Sequence, residues 1–101
     1  MKFGLSDSDL KLILDEIIKH LGETTSPEIY IFGSRAKGNY RPYSDIDLLL
    51  KADSYDKKSL SNIDLAELNT PYKVDFVLDK DLYDAYRDDI ESHMICLWRG
   101  W

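Results

Sequence analysis

The chain has one cysteine, Cys96, in 101 residues. A single thiol cannot close an internal disulfide, so packing must hold the fold, and a reducing, cytoplasmic setting is expected. No apolar run approaches the roughly 20 residues that a membrane helix needs. The opening MKFGLSDSDLKL has neither an uninterrupted apolar stretch nor a cleavage site, so neither export nor a membrane partner is expected. Cations are in the minority, 13 Lys and Arg against 19 Asp and Glu, for a net charge of −6. That balance speaks against broad nucleic-acid binding, which needs a basic surface, but leaves room for a local cation cluster around one phosphate ligand. The two histidines, His20 and His93, are isolated, and no paired His/Cys spacing points to zinc. Gly33 to Gly38 has P-loop spacing, yet Asn39 and Tyr40 stand where Lys and Ser or Thr are required. An EF-hand would need an oxygen donor where Leu49 stands, and no Rossmann fingerprint occurs. Repeats, linkers and low-complexity tracts are absent, and the length suits one domain, 1–101.

What remains is an alternation of helical and strand-like stretches. SDSDLKLILDEIIKHLG (6–22) carries Leu10, Ile13, Leu14, Ile17, Ile18 and Leu21 at steps of three and four, the stripe of an amphipathic helix. Ser6 with Asp9 resembles a capping box, and Gly22 reads as a stop. EIYIF (28–32), DIDLLLK (45–51) and KVDFVL (73–78) read as strands, with a short helix expected from Ser34. Helices are expected over 59–69, ended by Pro71, and over 80–92, where Leu82, Tyr83, Tyr86 and Ile90 share a side and Tyr83 and Tyr86 read as core. The tail HMICLWRGW fits a strand or a helix end equally well. Together these predict an α/β sandwich with a small mixed sheet flanked by helices.

Asp45 and Asp47 interrupt this pattern. In a strand they share a face, with Cα atoms roughly 6.6 Å apart, while Ile46 and Leu48 point into the core. Carboxylates about 4 Å apart repel by about 4 kcal/mol at an effective dielectric near 20. Open solvent, a shared proton or a divalent cation can relieve that repulsion. The apolar run Leu48–Leu49–Leu50 that follows leads inward, which favours a cation, and oxygen ligands favour Mg2+. Asp75, between Val74 and Phe76, is a third acid in an apolar strand. Alone it would read as an edge residue facing water; beside the other two it reads as a site residue.

The preceding loop supplies the opposite charge. Gly33 and Ser34 follow a strand and open a helix, where backbone N–H groups point outward and bind phosphate. Arg35, Lys37 and Arg41 form a basic group with no acid until Asp45. A turn with solvated cations would explain the glycines but not the acids beside it.

The stretch FGSRAKGNYRPYSDIDLLL, with Gly33, Ser34, Asp45, Asp47 and a later strand acid, resembles the nucleotidyltransferase superfamily of the DNA polymerase β type. Nearly the whole chain is similar to its stand-alone form, the minimal nucleotidyltransferases, the antitoxin half of HEPN/MNT toxin–antitoxin modules. The resemblance implies that Gly33 and Ser34 hold the triphosphate of ATP, assisted by Arg35 or Lys37. It implies that Asp45 and Asp47 bind two Mg2+ ions, and that Asp75 shares the catalytic metal and helps deprotonate the acceptor. It further implies a HEPN-domain toxin as partner, with AMP transferred to one of its tyrosines. Larger members grip the acceptor with an added domain, so here the partner is expected to bring it.

Two other readings are consistent with the residues. The chain could neutralise its partner by contact, with nucleotide as a ligand at most, its acidic surface suiting a basic partner and Tyr83, Tyr86, Trp98 or Trp101 serving as anchors. Or it is a structural domain whose acids are solvated.

Overall fold

A computed structural model describes residues 2–21, 26–52, 68 and 70–100. The elements run α1 (Asp7–Ile18), β1 (Glu28–Phe32), α2 (Ser34–Lys37), β2 (Ile46–Lys51), β3 (Val74–Leu78), a 3-10 turn (Asp79–Asp81), α3 (Asp84–His93) and β4 (Ile95–Arg99). This is the mixed α/β architecture the periodicity predicts. The expected stop at Gly22, nearly all of the expected helix over 59–69, and Trp101 lie outside the described residues.

α1 starts where the sequence says it should. The Ser6 hydroxyl accepts from the Asp9 N–H at 3.1 Å. Asp7 and Asp9 place negative charge in the first turn, where the helix dipole favours it. Its stripe covers the sheet: Ile13 and Ile17 are fully buried, and Leu10, Leu14 and Ile18 pack against the same cluster.

The four strands lie in the order β3-β2-β1-β4. β1 is antiparallel to both β2 and β4, and β2 is parallel to β3. One face of this mixed sheet supplies Ile29, Ile31, Ile46, Leu48, Leu50 and Leu78 to the core beneath α1. Each such side chain, taken wholly out of water, contributes about 1.5–3 kcal/mol. Among the described residues no helix is long and apolar enough to cross a membrane.

Two expectations fail at the C-terminal end. The helix expected over 80–92 is split: Asp79–Asp81 form a 3-10 turn, Leu82 and Tyr83 are extended, and α3 begins only at Asp84. Tyr83 and Tyr86 are therefore not core. They are 74% and 62% exposed and contact each other edge-on, with ring centroids 6.4 Å apart. Only Ile90 of the predicted stripe is buried. The ambiguous tail is resolved as β4, because an open edge of β1 takes it as an antiparallel partner through a bulge at Ile29/Tyr30.

Candidate active site

The strand directions gather distant residues at one end of the sheet. β2 and β3 run parallel and start there, while β1, antiparallel to β2, ends there. Asp47 and Asp75 are register partners across the β2–β3 ladder. Phe32, the last residue of β1, is the partner of Asp47 on its other side. The turn at Gly33 thus emerges beside the acid.

Gly33 has φ +75°, which glycine adopts without steric cost. A Cβ on Gly33 would run into the Asp47 Oδ2. Any side chain here would push the turn off the carboxylate. Ser34 follows as the first residue of α2 and is half-buried, and Lys37 at its end is exposed.

Asp47 is half-buried, with fully buried Leu49 two residues along on the same face. Its carboxyl is pushed above the ordinary value of 3.8, first by loss of water and then by the charges of Asp75 and Asp45. Lys73 pulls the other way. Its ammonium lies 3.7 Å from Asp75 Oδ1, largely in solvent, where an ion pair is weak. Asp45 is exposed and stands just ahead of β2, not within it. The expected three-acid convergence is therefore a register-aligned pair, Asp47 and Asp75, with Asp45 close enough to be felt electrostatically. Among the described residues no group of three His, Cys, Asp or Glu side chains is already gathered to hold a metal ion.

Arg35 corrects the sequence reading. It was expected to face a phosphate, but it is 1% exposed. Its guanidinium donates to the carbonyls of Ser44 (3.1 and 2.9 Å), Phe3 (2.9 Å) and Pro42 (3.2 Å). It also lies over the rings of Tyr40 and Tyr72, 5.2 and 4.7 Å from their centroids. The side chain ties the N-terminal segment to the loop before β2. A loop arginine reads as a surface cation in sequence, because the carbonyls that enclose it come from residues 3, 42 and 44 and no local pattern announces them.

His93 is the residue that spacing missed. Its Nε2 accepts the Gly33 N–H at 2.9 Å, across 60 positions of chain. It ends α3 just before β4, and β4, antiparallel to β1, starts at the same end of the sheet as the acids. One backbone N–H of the turn is thus already bonded within the protein.

A turn after a strand, a carboxylate seated against its glycine and a second carboxylate on the neighbouring parallel strand thus share one end of the sheet. A family model described as nucleotidyltransferase domain matches residues 10–97. Three solved structures share the fold. The first is a Sulfolobus solfataricus protein provisionally described as a nucleotidyltransferase, 21% identical, with TM-score 0.54 over 89% of this chain and 79% of that one. The second is a mutant of the toxin–antitoxin pair MntA-HpeT, 19% identical, with TM-score 0.69 over 88% and 72%. The third is a toxin–antitoxin with AMP-PNP, 25% identical, with TM-score 0.62 over 83% and 71%. No curated relative matches the sequence. Since the matched span takes in the whole acid end of the sheet, from α1 to β4, the chain belongs to the nucleotidyltransferase domain family.

Proposed function

We propose that this chain is a Mg2+-dependent protein adenylyltransferase of the minimal nucleotidyltransferase type, a single cytoplasmic domain that transfers AMP from ATP to a tyrosine of a HEPN-domain toxin. The observation that carries the reading is the register pairing of Asp47 with Asp75 beside the Gly33 turn. The toxin–antitoxin with AMP-PNP supports the choice of ATP and of a toxin partner for this chain.

The donor set fits a hard divalent cation. Asp47 is disfavoured as a bare anion by burial and by two neighbouring acids, and a cation among these oxygens would remove that penalty. Asp45, Asp47 and Asp75 would hold it. Bound magnesium would supply positive charge to the oxygens of the reacting phosphate.

The protein's own groups do the rest. The Gly33 turn, free of any Cβ, lets the Asp47 carboxylate sit against the backbone that leads to Ser34, so phosphate bound at Ser34 lies near the acid. The Ser34 hydroxyl donates to a phosphate oxygen, and Lys37 offers a cation from the exposed side of α2. The acceptor oxygen bonds to the α-phosphorus, the bond to the β-phosphate oxygen breaks, and pyrophosphate leaves. The acceptor's proton passes to the Asp75 carboxylate. Because Arg35 is enclosed, charge on pyrophosphate falls to Ser34, Lys37 and the remaining backbone N–H groups.

The test combines the chain with ATP, Mg2+ and the product of its neighbouring gene, and weighs that product intact. A gain of one or more adenylyl groups is expected, with a loss of rate of at least about 100-fold in Asp47→Asn. No mass gain with the wild type would sink the reading.

A second reading has one observation in its favour. Tyr83 and Tyr86 form an exposed aromatic pair, which suits a contact surface. On that reading the chain neutralises its partner by binding alone. A variant with Asn at 45, 47 and 75 separates the two: a binding module still neutralises, an enzyme does not.

A further inference from the structure

We propose that His93 is a positioning residue, a strut from the last helix that fixes the Gly33 peptide in the orientation required for nucleotide binding. The inference rests on the nucleotidyltransferase reading of the turn and deepens it.

The geometry holds Gly33 from two sides. On one side, the Asp47 carboxylate fills the space a Cβ would need. On the other, the His93 imidazole accepts the Gly33 N–H at 2.9 Å. Rotation of the 32–33 peptide would break the second contact and press on the first. Gly33 is the residue most able to rotate, since glycine lacks the steric limits of other residues. A backbone with φ +75° at the mouth of a ligand site is thus locked by its surroundings and not by its own sterics.

The second observation is the other ring nitrogen. Because Nε2 accepts, it carries the lone pair, and the proton of the neutral ring sits on Nδ1. His93 Nδ1 is buried and has no hydrogen-bond partner among the described residues. A buried donor left without a partner calls for an explanation. A histidine kept purely for packing would have no reason to hold this tautomer. Retaining it preserves the acceptor for Gly33.

The bond also occupies an N–H that the sequence reading assigned to phosphate. The turn's contribution to the triphosphate then comes from Ser34 and the backbone that follows it, with His93 setting where they stand. Among the described residues the hydrogen bond of the His93 ring goes to the turn, so its effect on transfer passes through Gly33.

Three variants test this. In His93→Leu the ring is replaced by an apolar group of comparable size with no acceptor. His93→Gln can place Oε1 near the position of Nε2, whereas His93→Asn can place its oxygen only near that of Nδ1. Calorimetric ATP binding with Mg2+, transfer kinetics to the neighbouring gene's product, melting temperature and the 15N shifts of His93 are measured for each folded protein. The wild-type ring is expected as the Nδ1–H tautomer. His93→Leu and His93→Asn are expected to weaken ATP binding, and with it kcat/KM, by about 10-fold, and His93→Gln by no more than about threefold.

Equal ATP affinity in wild type and His93→Leu overturns the proposal. So does a proton on Nε2, or an equal loss in Gln and Leu. If His93→Leu fails to fold, the Gln–Asn contrast and the tautomer decide. ATP binding without transfer by the wild type sinks the adenylyltransferase reading and leaves the affinity comparison to judge His93. No ATP binding by the wild type overturns both.

Discussion

Ile46, Leu48 and Leu50 of β2 are fully buried on one face of the sheet, whereas Asp47, placed between them in sequence, sits half-buried on the other beside Asp75. A strand sends alternate side chains to opposite faces, so six residues serve two purposes. The inner face gains stability from every carbon it hides. The outer face is apolar in its middle, at Leu49 and Tyr30, and carries the Asp47–Asp75 pair at the end where Asp47 meets Phe32 and the Gly33 turn. That placement removes water from Asp47 and aligns a second acid with it, which opposes folding. Stability and chemistry are separated by a single step along the chain.

The largest expected stability effect lies on the inner face. Leu48→Ala should cost about 2–5 kcal/mol in chemical denaturation, from lost apolar burial and a cavity beneath α1. A cost under about 1 kcal/mol would break the distinction between the faces.

Arg35 tests whether a cation of the loop after β1 belongs to stability or to chemistry. Arg35→Ala should cost about 2–4 kcal/mol, because it empties a buried volume and leaves the Ser44, Phe3 and Pro42 carbonyls without their donor. ATP affinity of the protein that remains folded should stay within about threefold of wild type. A much larger loss of affinity at unchanged stability would return Arg35 to the nucleotide site.

Asp47→Asn should move the other way and raise stability slightly without metal or nucleotide, by less than either of the losses above, because Asp47 is only half-buried and solvent screens its neighbours' charges. The sign follows from the raised Asp47 value. The folded state holds this proton more tightly than the unfolded chain. Stability therefore falls as pH rises from the ordinary carboxylate range through the raised folded value. Asn, which does not ionise, flattens that part of the profile. A steeper acid-side slope in the variant would contradict the assignment. The smallest effect is at Tyr83 and Tyr86, where a double change to Ser should alter monomer stability by under about 0.5 kcal/mol. Weaker pull-down of the neighbouring gene's product by that variant would favour the contact reading.

Much of the fold was legible because its signals are local. Ser6 caps α1, three strands fall where branched and aromatic residues cluster, and α2 starts at Ser34 as expected. Asp47 and Asp75 were legible as acids inside apolar strands, and Gly33 as a turn residue. Arg35, Tyr83 and Tyr86 were misread because their surroundings depend on distant parts of the chain. A helical spacing of tyrosines means core only if the helix includes them and turns that side inward, and α3 does neither for Tyr83.

From the sequence alone came the mixed α/β pattern and the choice of a glycine and two strand acids where β1 turns. Tertiary structure decided that β2 and β3 run parallel, which sets Asp75 level with Asp47, and that β4 pairs antiparallel with β1, which delivers His93 to Gly33. The physical reason is range. Caps, turns and periodicity act over a few residues, whereas strand order and direction are set by which apolar faces close over one another.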